Sequence, residues 1–179
     1  MVDRRVNRTR VALKKSFIQL LKVSELSSIS VKQLTDTADI NRSTFYKHFD
    51  DIYSIYEWLE DEAVAELSEV IESYGHCKTI GNCPISMYEK LLLTIKAEPV
   101  LYQLMFNEKK GISFISKLGN QFHQLTLRKE IKTDEELMMR NYILYGMIGM
   151  IKAWIDKYME MQVTDMASLL KQSVDKSLG

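Results

Sequence analysis

SVKQLTDTADINRSTFYKHF, residues 30–49, carries two successive helix starts separated by a corner. Ser30 is a good N-cap, and Gln33, three residues on, completes the spacing of a capping box. Ile29 and Leu34 hold the flanking positions of a hydrophobic staple. The pattern repeats at once: Asn41 can cap a second helix, with Ile40 and Phe45 as its staple. Between the two lies only Ala38-Asp39-Ile40-Asn41, which leaves room for a sharp corner and nothing else. Asp and Asn both accept the left-handed backbone that such corners often need. Two short helices joined in this way form a helix-turn-helix, whose second helix can enter the major groove of DNA.

If Phe45 and Phe49 point inward, one turn apart, then Arg42, Ser43, Tyr46 and Lys47 project away from the core, with Thr44 and His48 near the edges. These are residue types suited to a duplex. Arg bridges two acceptors on guanine, while Ser, Thr and Tyr reach phosphate oxygens. At the start of the preceding helix, backbone amides together with Lys32 offer a further phosphate contact.

The same stretch resembles the TetR (tetracycline-repressor) family of bacterial transcriptional regulators. Val31, Leu34, Ala38, Ile40, Thr44, Phe45, Tyr46, His48 and Phe49 fall on matching positions of that family's helix-turn-helix. Two positions depart from it. Asp39 stands where the family usually has a turn glycine, and Ile52 stands where a basic residue often contacts phosphate. The resemblance implies that residues 42–44 and 46–48 face DNA. It also implies an all-α fold and a homodimer on a palindromic operator of double-stranded DNA, and it makes repression the default direction.

Charge agrees with a divided molecule. The chain has 179 residues and no net charge, yet residues 1–50 hold ten Lys and Arg against five Asp and Glu, whereas residues 51–179 hold fourteen against nineteen. A basic head on an acidic body suits a polyanion bound by the head alone. We therefore expect a DNA-binding domain over residues 1–50 and a regulatory and dimerisation domain over residues 51–179. The polar N-terminus reads as no signal peptide, and no apolar run approaches the roughly 18 residues of a membrane span. Two cysteines, Cys77 and Cys83, are too few for a disulfide framework, so a cytoplasmic setting is expected.

Helical periodicity covers nearly the whole chain, and nine helices are expected. The first, over residues 4–23, turns Leu13, Phe17, Leu20 and Leu21 to one side, with Arg4, Arg5, Arg8 and Arg10 at its start. A long helix over residues 51–74 carries Glu57, Glu60, Asp61, Glu62, Glu66, Glu69 and Glu72 on a face expected to be solvated. Ser86 with Glu89 and Thr133 with Glu136 read as further capping boxes, Pro99 as a first-turn proline, residues 107–111 as a polar turn, and Thr164 as the cap of the last helix.

The helix expected over residues 134–159 contains Gly146 and Gly149, each costing roughly 1 kcal/mol relative to Ala in a helix interior. They lie on one face with Ala153, and such a smooth face lets another helix approach closely. In TetR regulators the last two helices of each subunit build the dimer, which places the seam at Tyr142, Tyr145, Gly146, Gly149 and Ala153, with Leu170 on the final helix. The glycine-tryptophan spacing here also resembles a subgroup containing regulators of dihydroxyacetone-kinase operons.

Nine of the ten methionines lie after residue 80, among them Met87, Met105, Met138, Met139, Met147 and Met150. Flexible thioethers suit an adaptable cavity, with Tyr88, Tyr102, Phe106, Phe122, Tyr142 and Trp154 as candidate walls. The resemblance implies a small apolar or amphipathic effector there; the alternative is a body that binds a partner protein. Neither a cofactor nor a metal is expected, since His76, Cys77 and Cys83 fall short of four ligands. No nucleophile, metalloprotease or phosphate-loop pattern points to an enzyme.

Overall fold

The computed structural model describes residues 4–75, 82–107, 112–126 and 133–178, with the side chains of Arg4, Arg5, Ile112, Leu125, Thr126 and Leu178 outside the described set. Among the described residues there are nine α-helices and no strand, the all-α class expected. The chain divides into two compact units, Met1–Glu62 and Ala63–Gly179. The boundary falls inside a helix, beyond the expected junction at residue 50.

In the first unit, α1 (Arg4–Val23) buries Leu13, Phe17, Leu20 and Leu21, the stripe expected from spacing. It packs on α2 (Val31–Ala38), and α2 packs on α3 (Arg42–Phe45). Ser30 caps α2 by accepting the Gln33 N–H at 3.1 Å, and Asn41 caps α3 by accepting the Ser43 N–H at 2.9 Å. The corner turns at Asp39, whose φ of 53° and ψ of 47° are left-handed. An L side chain is strained there, and the Asp39 carboxylate bonds to no described residue. Asp39→Gly is therefore expected to stabilise the protein by roughly 0.5 kcal/mol or more, read as a higher urea midpoint. A lower midpoint would mean that the carboxylate does more than tolerate the turn. The first turns of α4 (Ile52–Ser73) complete this unit by burying Ile52, Ile55 and Leu59.

The second unit contains the rest of α4 and five further helices: α5 (Ile85–Ala97), α6 (Pro99–Met105), α7 (Ile112–Thr126), α8 (Asp134–Asp156) and α9 (Val163–Leu178). Within it α5 packs along α9, α8 along α9, and α6 against both α5 and α8. Thr133 caps α8 through the Glu136 N–H at 3.2 Å, and Pro99 opens α6 at its first position, as expected. Tyr102 is fully buried and donates its hydroxyl to Glu66 Oε2 at 3.1 Å. Burial, with the Glu66 charge second, holds that phenol far above its ordinary pKa of 10.

Four expectations are corrected. The Ser86–Glu89 capping box does not form, because Pro84, already fixed in extended backbone at φ −68° and ψ 154°, takes the N-cap position and starts α5 two residues earlier, at Ile85. Thr164 lies inside α9, whose first turn is closed by the Met166 N–H on the Gln162 carbonyl. The helix expected to reach Met159 ends at Asp156, where Tyr158 and Met159 turn left-handed and the Trp154 indole N–H donates to the Met161 carbonyl at 2.9 Å. On α4, Glu60 is 2% exposed and not solvated, because it shares the buried side of the helix with Tyr56 and Ala63. Burial, reinforced by that carboxylate, pushes the Tyr56 phenol up to about 12. His76, Cys77 and most of the turn expected over residues 107–111 lie outside the described residues.

Candidate nucleic-acid interface and effector cavity

Phe45 is fully buried and Phe49 nearly so, their rings 5.7 Å apart. These two anchors fix what faces outward. Arg42, Ser43, Tyr46 and Lys47 are exposed, and Thr44 and His48 are half-buried, the distribution expected from the sequence. Regular helix ends at Phe45, but the chain keeps turning through Phe49 with i−3 and i−4 bonds: Tyr46 N–H to Arg42, Lys47 to Thr44, His48 and Phe49 to Phe45. The Ser43 hydroxyl donates to Asn41 Oδ1 at 2.8 Å, so it meets an incoming group as an acceptor. Lys32 is exposed at the second position of α2, where amides near the cap point outward.

None of Arg8, Lys15, Lys32, Arg42 and Lys47 forms an ion pair with a described residue. Lys14 of the first unit reaches Glu62 at 3.9 Å. In the second unit Arg140–Glu136, Lys152–Asp156 and Lys171–Asp175 each pair within their own helix, whereas Lys96, Lys157 and Lys176 form no ion pair with a described residue. Cations left without partners on a surface rich in hydrogen-bonding side chains are available to phosphates. The start of α4 is closed to an anion, because Asp51 Oδ1 already accepts the Ser54 N–H at 2.7 Å. Ile52 is buried, which explains in packing terms why no basic residue stands there.

On α8, Tyr142, Tyr145, Gly146, Gly149 and Ala153 form one exposed face, opposite the buried Ile143, Leu144, Met147, Ile148, Ile151 and Trp154. A Cβ added at Gly146 or Gly149 would meet no heavy atom within 4 Å. A groove bordered by Met139, Tyr142, Gly146, Met150, Ser173 and Lys176 runs between α8 and α9. Leu170 does not join this face. It is fully buried with Met166, Ala167 and Val174, and a step of one residue, about 100° around the helix, puts Leu169 outside instead.

Inside the second unit is an apolar hollow of about 70 Å³, measured as room for the centre of a water-sized sphere. Leu67, Met87, Leu91, Phe106, Phe122, Leu144, Met147 and Ile151 contribute to its wall, and Ser68 and Cys83 are its polar members. The Ser68 hydroxyl is already committed to the Val64 carbonyl at 2.7 Å. Of the expected walls, Met87, Met147, Phe106 and Phe122 are present. Tyr88, Tyr102, Met105 and Trp154 are buried away from the hollow, and Met138, Met139 and Tyr142 face outward. No described lining residue is charged, and nothing in the sequence singles out the aliphatic wall from ordinary core. Among the described residues no group of three or more His, Cys, Asp or Glu is placed to hold a metal ion, and no helix is long and apolar enough to cross a membrane.

Residues 83–176, slightly more than half of the chain, match the TetR family model described as "Transcriptional regulator C-terminal region". The chain belongs to the TetR family of transcriptional regulators. This TetR-family regulator is 33% identical over 67 residues, 37% of its length, to the uncharacterized HTH-type transcriptional regulator YxbF of Bacillus subtilis (strain 168), and the match spans 18% of that relative. Its fold is similar to that of a TetR transcriptional regulator from Streptococcus agalactiae 2603V, with TM-score 0.64 and 20% identity over 96% of each chain. It is also similar to the dihydroxyacetone kinase operon activator DhaS, with TM-score 0.59 and 18% identity over 93% of each chain. The family is one of transcriptional regulators and not of enzymes.

Proposed function

We propose that this TetR-family regulator is a homodimeric repressor that binds a palindromic operator and is released by a small neutral effector. The observation that carries the DNA reading is that Lys32, Arg42 and Lys47, on a helix-turn-helix whose inward side is locked by Phe45 and Phe49, form no ion pair with a described residue. In this reading Arg42 reads bases, Ser43, Thr44, Tyr46 and His48 contact bases and sugar-phosphate, and Lys32 and Lys47 neutralise phosphates. The setting is the cytoplasm, where the chromosome lies. Titration of duplexes from a random pool tests it: binding should weaken linearly in log affinity against log salt, and no binding to any duplex at low salt would refute it.

The exposed α8 face supports the dimer. Its glycines serve no packing within the subunit, and two-fold pairing would bring two heads to half-sites about one helical turn apart. The α8–α9 groove lies beside the same face.

The apolar hollow favours a small molecule over a partner protein as the occupant of the body. One water needs about 10–15 Å³ on this measure, so a ligand of several carbons must displace the flexible Met87 and Met147 side chains. With no charged lining residue described, an ionised headgroup would be stranded. We expect 1-octanol to raise the melting temperature and octanoate of equal length to leave it unchanged. At a hundred-fold excess over Kd the gain is about 2.7 kcal/mol, several degrees for a chain of this size. Equal shifts from both compounds would remove the neutral-ligand reading.

A further inference from the structure

We propose that Trp58, held by Arg10, is a positioning residue for DNA recognition: it sets the pose of the Tyr46–His48 turn. The inference rests on the DNA reading above and adds to it a residue pair outside the recognition surface. A four-residue helix has no stability of its own, so the direction of Tyr46, Lys47 and His48 is imposed by what lies behind them. Behind them is a chain of rings. Tyr46 meets Phe45 edge-on at 5.4 Å, Phe45 meets Phe49 at 5.7 Å, and Phe49 meets Trp58 of α4 at 5.4 Å. His48 sits 6.4 Å from Phe49.

Trp58 in turn is held from α1, where the Arg10 guanidinium carbon lies 5.7 Å from the indole centroid. Arg10 does this at a local cost. Its Nε is buried and has no hydrogen-bond partner among the described residues, whereas Arg8, two residues earlier and on the other side of the helix, is exposed. A lysine would place a compact, strongly hydrated charge in that spot; a flat guanidinium can stack on the indole. The cation–π contact links α1 to α4, and the Trp58–Phe49 ring contact carries that link to the end of the recognition turn.

The prediction separates positioning from mere stability. The probes are the tightest duplex that the wild type recovers from a random-sequence pool, and poly(dI-dC) as non-specific duplex, both well below the melting temperature. Trp58→Ala should weaken the selected duplex about 10- to 100-fold while poly(dI-dC) affinity stays within two-fold, because phosphate contacts tolerate a shifted turn and base contacts do not. Trp58→Phe should restore most of the loss. Arg10→Met, which keeps the stem, should give a smaller loss with the salt slope unchanged.

If Trp58→Ala melts too low to assay, Trp58→Leu keeps apolar bulk without the ring and gives the same readout. An equal fall on both duplexes, or no fall in a folded variant, overturns the proposal. A salt slope reduced by about one in Arg10→Met also overturns it, making Arg10 a phosphate ligand. A wild type that selects no duplex refutes the DNA reading itself, a different result from a wild type that binds beside an unaffected variant.

Discussion

Arg42→Ala is expected to remove sequence-specific DNA binding and to leave the thermal transition of the protein in place. Arg42 is the first residue of α3, exposed and bonded through its side chain to no described residue, so its truncation takes nothing from the fold. Alanine is also the better helix former. On DNA the loss is large. A guanidinium that bridges two acceptors of guanine contributes about 1–3 kcal/mol, and a two-fold operator uses it twice, giving about 2–6 kcal/mol or roughly 30-fold to beyond 10,000-fold. Tyr46→Ala should act in the same direction with a small stability cost, since its ring rests edge-on against Phe45. Lys47→Ala should differ in kind, weakening all duplexes alike and lowering the salt slope by about one. Anisotropy titrations beside calorimetry give both quantities, and an Arg42→Ala protein that holds the selected duplex as tightly as wild type removes this surface from recognition.

Gly149→Leu is expected to convert the proposed dimer to a monomer without harming the subunit. In one subunit the new side chain meets open space, since even its Cβ finds no heavy atom within 4 Å. The substitution also relieves roughly 1 kcal/mol of unfavourable helix propensity. Against a second α8 the same side chain would hold two backbones apart where the smooth glycine face otherwise lets them touch. Sedimentation at micromolar protein should change from dimer to monomer, and operator affinity should fall with it. Helix content should not. A variant that still sediments as a dimer would move the subunit contact elsewhere on the surface.

Much of the head was legible because its signals are local. Ser30 and Asn41 cap where their side-chain oxygens said they would, as Thr133 does in the second unit, and Asp39 adopts the left-handed turn that its residue type allows. Spacing alone placed Phe45 and Phe49 inward, and with them the outward direction of Arg42, Tyr46 and Lys47. What escaped was set by neighbours distant in sequence. Glu60 looks like every other glutamate of α4 until the buried side of the helix is known. Leu170 and Leu169 differ by one step around α9, and only the packing of α9 on α5 and α8 decides which is covered. Trp58 and Arg10 lie 48 positions apart, so no periodicity could have paired them.

The brevity of α3 has a practical consequence. Cut out as a peptide, residues 41–49 would be an unstructured coil in water, with no means of pointing its side chains at one strip of bases. Target preference in this molecule is therefore not a portable cassette. Moving it to another regulator means transplanting individual surface side chains onto a frame that already holds two inward phenylalanines, and grafting the loop by itself would carry the letters across without their meaning.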